Sequence, residues 1–120
     1  MLTERRIAVV VPAYRVRDQI VEVVKAIPEM VDHIVVVDDA CPEHSGRHVF
    51  ENFNDPRLDV ILLSRNLGVG GAVLSGMKRA VSKGADIVVK LDGDGQHDPS
   101  SVEYVVAPII HGKADYVKGN

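Results

Sequence analysis

The chain has 120 residues, enough for one domain with a real core and at the small end for an enzyme. Hydrophobic residues make up 46% and charged residues 26%, and a net charge of −3 with acids and bases interleaved argues against a nucleic-acid groove. Cys41 is the single cysteine, which excludes an internal disulfide and suits a reducing compartment. No apolar run approaches the ~20 residues of a membrane span, and Met1 to Arg6 leads into no apolar stretch of signal-peptide type.

In chain order, Ile7 to Val11 reads as a buried strand stopped by Pro12. Ile20, Val23, Val24 and Ile27 share one helical face, so a helix is expected over 17–27. His33 to Val37 is a second buried strand, ended by Asp38-Asp39. A helix over 46–53 should place Val49, Phe50 and Phe53 on one side. Leu58 to Leu63 is a third strand, with Asp59 suggesting a late start. A Gly-rich turn, Gly68 to Gly71, then leads into a helix reaching Lys83, with Gly84 as its C-cap. Asp86 to Leu91 is a fourth strand. Asp98-Pro99 reads as an N-cap and first-turn proline, opening a helix expected to run to about His111, kinked at Pro108 and ended by Gly112. Ala114 to Val117 would be a short last strand. Strands rich in Val and Ile, alternating with helices, predict an α/β protein: three layers, α/β/α, around a mainly parallel sheet with right-handed crossovers.

The chemistry-bearing residues gather at strand ends. In an open parallel sheet those carboxyl ends form one rim, where ligands bind. The fourth strand runs into Asp92-Gly93-Asp94-Gly95-Gln96. Two carboxylates one residue apart can close on one divalent cation whose other ligands are phosphate oxygens, with glycines between them letting backbone approach a ligand. At the end of the second strand, one of Asp38 and Asp39 can cap the next helix while the other accepts hydrogen bonds from a base or ribose. After the first strand, Pro12-Ala13-Tyr14 places a Tyr where it could stack on a nucleobase. Arg65, beside Asn66, is either a phosphate contact or an ordinary surface arginine. The stretch Gly68 to Gly71 is no dinucleotide fingerprint, because Val73 stands at the third glycine position, and no P-loop, because the Lys-Ser/Thr end is missing. Ala72, Gly76 and Ala80 instead form a smooth helical stripe suited to close packing on the sheet. His97 is read as a structural residue before a metal ligand, and Cys41 as a small turn residue. Lys90, inside an apolar strand, either lies near the sheet edge or pairs with an acid.

The succession VVVPAY, IVVVDDAC, SRNLGVGGAVLSGMKRA and VVKLDGDGQHDP resembles the nucleotide-sugar half of family 2 glycosyltransferases of the GT-A fold. Within that family it is most similar to the polyprenyl-phosphate, dolichol-phosphate mannose synthase-like group. The resemblance implies an inverting, metal-dependent transfer from a UDP- or GDP-linked sugar to a lipid phosphate or saccharide acceptor. Pro12, Ala13 and Tyr14 would frame the base. Asp39 would contact the nucleoside with support from Asp38, and Arg65 and Gly68 would complete the donor site. Asp92 and Asp94 would hold Mg2+ or Mn2+ at the diphosphate, and Gln96 would continue the site. Where family members usually carry Asn-Glu after the Tyr, this chain has Arg15-Val16, and Asp18 is the residue that could compensate. Members are about twice as long, so residues 1–120 are expected to be the donor domain, with the general base and most of the acceptor site beyond Asn120. Cytoplasmic placement is implied, at the cytoplasmic membrane face for the whole protein through parts outside this sequence. A non-catalytic nucleotide-binding module is the alternative. A nucleotidyltransferase fits less well, since its Gly-rich basic loop would replace Pro12-Ala13-Tyr14.

Overall fold

A computed structural model describes residues 6–93, 107–110 and 113–114. In chain order the elements are β1 (Ile7–Ala13), α1 (Arg17–Lys25), β2 (His33–Asp38), α2 (Ser45–Asn52), β3 (Leu58–Leu62), α3 (Gly68–Ser82), β4 (Ile87–Lys90), β5 (Ala107–Ile110) and β6 (Lys113–Ala114). The sheet order is β3-β2-β1-β4-β5-β6. The pairs β3·β2, β2·β1 and β1·β4 are parallel, while β5 runs antiparallel to β4 and to β6. The chain therefore winds outward from β1 to β3, then crosses to β4 on the other side. The carboxyl edge beside β1 is the crevice that such a reversal opens. No helix of the described residues is long and apolar enough to cross a membrane.

Alternation along the strands divides the core in two. Val9, Val11, Ile34 and Val36 face one side and pack with Ile20 and Val24 of α1 and Val49 of α2. Val10, Val35 and Val37 face the other and pack with Ala72, Met77 and Ala80 of α3. The small-residue stripe is used as its spacing predicts. A Cβ on Gly76 would stand 2.3 Å from Val10 Cγ1 and 3.0 Å from Val37 Cγ2, so only glycine lets α3 lie this close. The same helix ends in a Schellman motif: Ala85 N–H donates to Ala80 O, Gly84 N–H donates to Val81 O, and Gly84 has φ +91°.

Four expectations are corrected. Ala107–Ile110 is a strand, not the end of a helix kinked at Pro108. An interior proline removes a helical hydrogen bond and clashes with the carbonyl four residues earlier. In the strand, Pro108 lies opposite Ile87, and among the described residues β6 pairs with Ile109 and Ile110. Residues 99–106 of the expected helix, and 115–117 of the expected last strand, lie outside the described residues. Secondly, α3 begins at Gly68, so the glycines form its first turn and not a separate loop. Thirdly, Phe50 is 69% exposed, leaving Val49 as the buried residue of α2. Lastly, β3 starts at Leu58 without delay, because Asp59 is taken up by Arg79 and His33.

Candidate functional site

The loop after β1 is tied to the loop after β2. Arg15 adopts a left-handed backbone (φ 57°), and its N–H donates to Cys41 Sγ at 3.0 Å. Val16 N–H donates to the buried Ser45 Oγ at 3.2 Å, and Sγ and Oγ lie 3.1 Å apart. Cys41 is thus a fastener between two loops, more than a small turn residue. Burial pushes its thiol up, but the Ser45 hydroxyl and backbone N–H groups beginning with Arg15 outweigh burial and hold it below the ordinary value. The Arg15 guanidinium lies 5.5 Å from the centroid of the exposed Tyr14 ring.

The two acids after β2 divide the work. Asp38 Oδ1 accepts from Cys41 N–H at 2.7 Å and Oδ2 from Gly46 N–H at 2.8 Å, so this carboxylate shapes the loop and meets the start of α2. Asp39 Oδ1 accepts from Leu67 N–H at 2.7 Å, and its carbonyl accepts from Asn66 Nδ2 at 3.1 Å. Both acids are buried, at 4% exposure. Asp39 therefore anchors the loop that launches α3, with its second oxygen unengaged among the described residues. Two further non-glycine residues here are left-handed, Ala40 (φ 56°) and His44 (φ 56°).

At the end of β4, Lys90 Nζ lies 2.9 Å from Asp92 Oδ1. Of the two readings for Lys90, the structure selects pairing with an acid. Gly93 follows; a Cβ there would stand 2.9 Å from Ile20 Cδ1 and 3.2 Å from Val16 Cγ2. A side chain there would press on Ile20 and Val16, so the glycine keeps this turn close to α1.

Pro12, Ala13, Tyr14, Val16, Asp39, Val69, Asp92 and Gly93 line one cavity of about 140 Å³. Five of the residues expected from the sequence thus meet: Pro12, Ala13, Tyr14, Asp39 and Asp92. Asp38 borders a separate, wider depression of about 610 Å³ with Cys41, Arg47 and Leu62, and both its oxygens are already used. Arg65 is exposed in the β3–α3 loop, and Gly68 (φ +81°) starts α3; neither lines the cavity. Asp18 is exposed on α1 and does not reach it either. Asp94, Gln96 and His97 lie outside the described residues. Val16 and Val69 were not singled out from sequence as contacts, since apolar wall residues carry no distinctive signal. Lys90 did carry one: residues two apart in a strand face the same side.

A divalent cation fits this donor chemistry. Asp39 and Asp92 bring hard carboxylate oxygens to the cavity, the type that Mg2+ and Mn2+ take, although no group of three His, Cys, Asp or Glu converges among the described residues. Around them the cavity offers an aromatic ring, apolar walls and hydrogen-bond acceptors, a set suited to a nucleotide.

Comparisons with known proteins bear on the family and the fold. The family described as Glycosyl transferase family 2 matches residues 8–120. A curated relative from Methanococcus voltae, UDP-N-acetylglucosamine–dolichyl-phosphate N-acetylglucosaminyltransferase, is 32% identical over 99% of this chain and 53% of its own length. The chain thus spans about half of that relative. Other curated relatives are likewise named as polyprenyl- or dolichol-phosphate sugar transferases. Among solved structures, Staphylococcus aureus TarS in complex with UDP-GlcNAc superimposes with a TM-score of 0.63 at 26% identity, covering 74% of this chain and 26% of that one. Glucosyl-3-phosphoglycerate synthase from Mycobacterium tuberculosis, in complex with Mn2+, UDP and glucosyl-3-phosphoglycerate, shares the fold at a TM-score of 0.57 and 23% identity, over 74% of this chain and 33% of that one. With four parallel strands, helices on both faces and a family match over nearly its whole length, the chain belongs to glycosyl transferase family 2 and has the GT-A fold.

Proposed function

We propose that residues 1–120 form the donor half of an inverting, metal-dependent glycosyltransferase that moves a sugar from a UDP- or GDP-linked donor to a polyprenyl phosphate. The observation that carries this reading is the meeting of Pro12-Ala13-Tyr14, Asp39 and Asp92 at one cavity on the carboxyl rim. The relative from Methanococcus voltae supports a lipid-phosphate acceptor, and the TarS complex supports a nucleotide sugar as donor.

Each residue has a distinct task. The Tyr14 ring takes the base by stacking, with Pro12 and Val16 as walls. Asp39 accepts hydrogen bonds from the base or ribose through the oxygen that Leu67 leaves unused. Asp92 and Asp94 hold Mg2+ or Mn2+, which when bound neutralises charge on the leaving diphosphate. The acceptor oxygen attacks the anomeric carbon from the face opposite the diphosphate, forming the new glycosidic bond as the old one breaks. The whole protein works in the cytoplasm, at the membrane's cytoplasmic face.

Calorimetric titration with UDP, GDP and their sugars tests this, with and without Mn2+, on wild type, Asp39→Ala and Asp94→Ala. Wild type should bind one nucleotide class in the presence of Mn2+. Asp94→Ala should lose the metal-supported part, and Asp39→Ala should weaken binding at least ten-fold under both conditions. Nucleotide binding indifferent to Mn2+ and to Asp94 would mean a binding module without the transferase metal site. No binding at all by wild type would remove the donor-site reading.

A further inference from the structure

The buried lysine under the site is unusual for a centre built to receive a divalent cation. Lys90 is in register with Val10, one of the residues that pack against α3, and its side chain is 8% exposed. It does not line the cavity itself, whereas Asp92, 24% exposed, does. The ammonium sits 2.9 Å from Asp92 Oδ1, on a carboxylate that lines the cavity. Held in a strand and enclosed by protein, Lys90 cannot swing into water when another cation arrives. A divalent ion on Asp92 would therefore share one carboxylate with a fixed positive charge. Repulsion over such a distance in a partly buried site is screened little by solvent or salt.

From this we infer that Lys90 is a positioning residue and resident counter-cation, which keeps Asp92 oriented but makes the site reluctant to bind a divalent metal alone. The inference rests on the nucleotide reading of the cavity. A diphosphate brings the negative charge that balances metal and ammonium together. Metal and nucleotide then bind as a strongly coupled pair, each raising the other's affinity by the same factor. Without Lys90 the site would carry one fixed positive charge fewer when the metal arrives, and much of that coupling would vanish.

The experiment is a Mn2+ titration read by electron paramagnetic resonance of the free ion, without nucleotide and then with UDP or GDP. It uses wild type, Lys90→Met and Lys90→Gln, with melting temperatures recorded alongside. Wild type should bind Mn2+ alone weakly, and nucleotide should tighten that binding at least a hundred-fold. Either uncharged variant should bind Mn2+ alone at least ten-fold more tightly than wild type, with the coupling reduced by a similar factor. Equal or weaker Mn2+ binding by folded variants would overturn the inference. So would tight binding of Mn2+ alone by wild type, which needs no variant to fold. If no nucleotide binds to any form while the variants still gain Mn2+ affinity, the donor-site reading fails and the competition between Lys90 and the metal stands.

Discussion

The two rims of the sheet are built on opposite plans. At the amino ends of the strands several charged side chains are matched within the protein. Asp32 and Asp86 accept from the backbone N–H groups of Ile7 and Arg6. Arg57 clasps Asp55 with two nitrogens and donates to the carbonyls of Pro28 and Val31. Asp59 takes two bonds from Arg79 Nη1 and one contact from His33. At the carboxyl ends, three non-glycine residues sit in left-handed conformations, two acids are buried, and a lysine is enclosed beside a carboxylate that lines the cavity. One rim secures the fold; the other stores strain and charge in the place where a ligand would use them.

Asp38→Ala should do most to blur that contrast, since it makes the functional rim answer for stability. Two buried backbone donors, Cys41 N–H and Gly46 N–H, would lose a charged acceptor, at a cost of about 3 kcal/mol in urea unfolding. Arg57→Ala is the matching test at the opposite rim. It should cost about 2 kcal/mol while leaving nucleotide affinity within two-fold of wild type. The same pair predicts a pH response. Hydrogen bonding to Arg57 holds the Asp55 carboxyl below its ordinary range, against an opposing push from burial. A lowered folded pKa stabilises fully above the unfolded value of about 4 and fades as pH falls through the folded one. The wild-type melting temperature should therefore drop below about pH 4, and the Arg57→Ala curve should be flatter there. A parallel fall in both curves would remove Asp55 as the cause. The smallest effect is expected from Ala40→Gly, which relieves a left-handed alanine and should stabilise by about 0.5 kcal/mol. Destabilisation instead would mean that the Ala40 methyl makes contacts worth more than the strain.

Much of the layout could be read from sequence because it is written in local pattern. Val and Ile runs marked the parallel strands, the spacing of Ala72, Gly76 and Ala80 marked the close-packed face, and Gly84 marked a helix end. The rim was legible for the same reason: strand ends are local, and a parallel sheet gathers them without further information. Its wiring was not. The link from Arg15 through Cys41 to Ser45 joins residues 26 and 4 positions apart, and nothing in a one-dimensional pattern announces a thiol as an acceptor. Asp38 and Asp39 could be given two tasks but not told apart, since which one turns toward α2 depends on the backbone after β2. Around Pro108 the pattern misled, because an apolar run after a helix start reads as more helix unless the open side of a neighbouring strand is known.

The tight seating of Gly76 has a mechanical consequence. With Val10 and Val37 against its Cα, α3 rests on the sheet with almost no clearance, like a beam on a fixed fulcrum. Val69, which walls the cavity, lies seven residues, or about 10 Å, along that beam. One added methyl at the fulcrum would have to lift or tilt the whole helix. The far end would carry that displacement into the cavity wall and into the Leu67 N–H that Asp39 holds. A residue that does not line the cavity thereby sets its width.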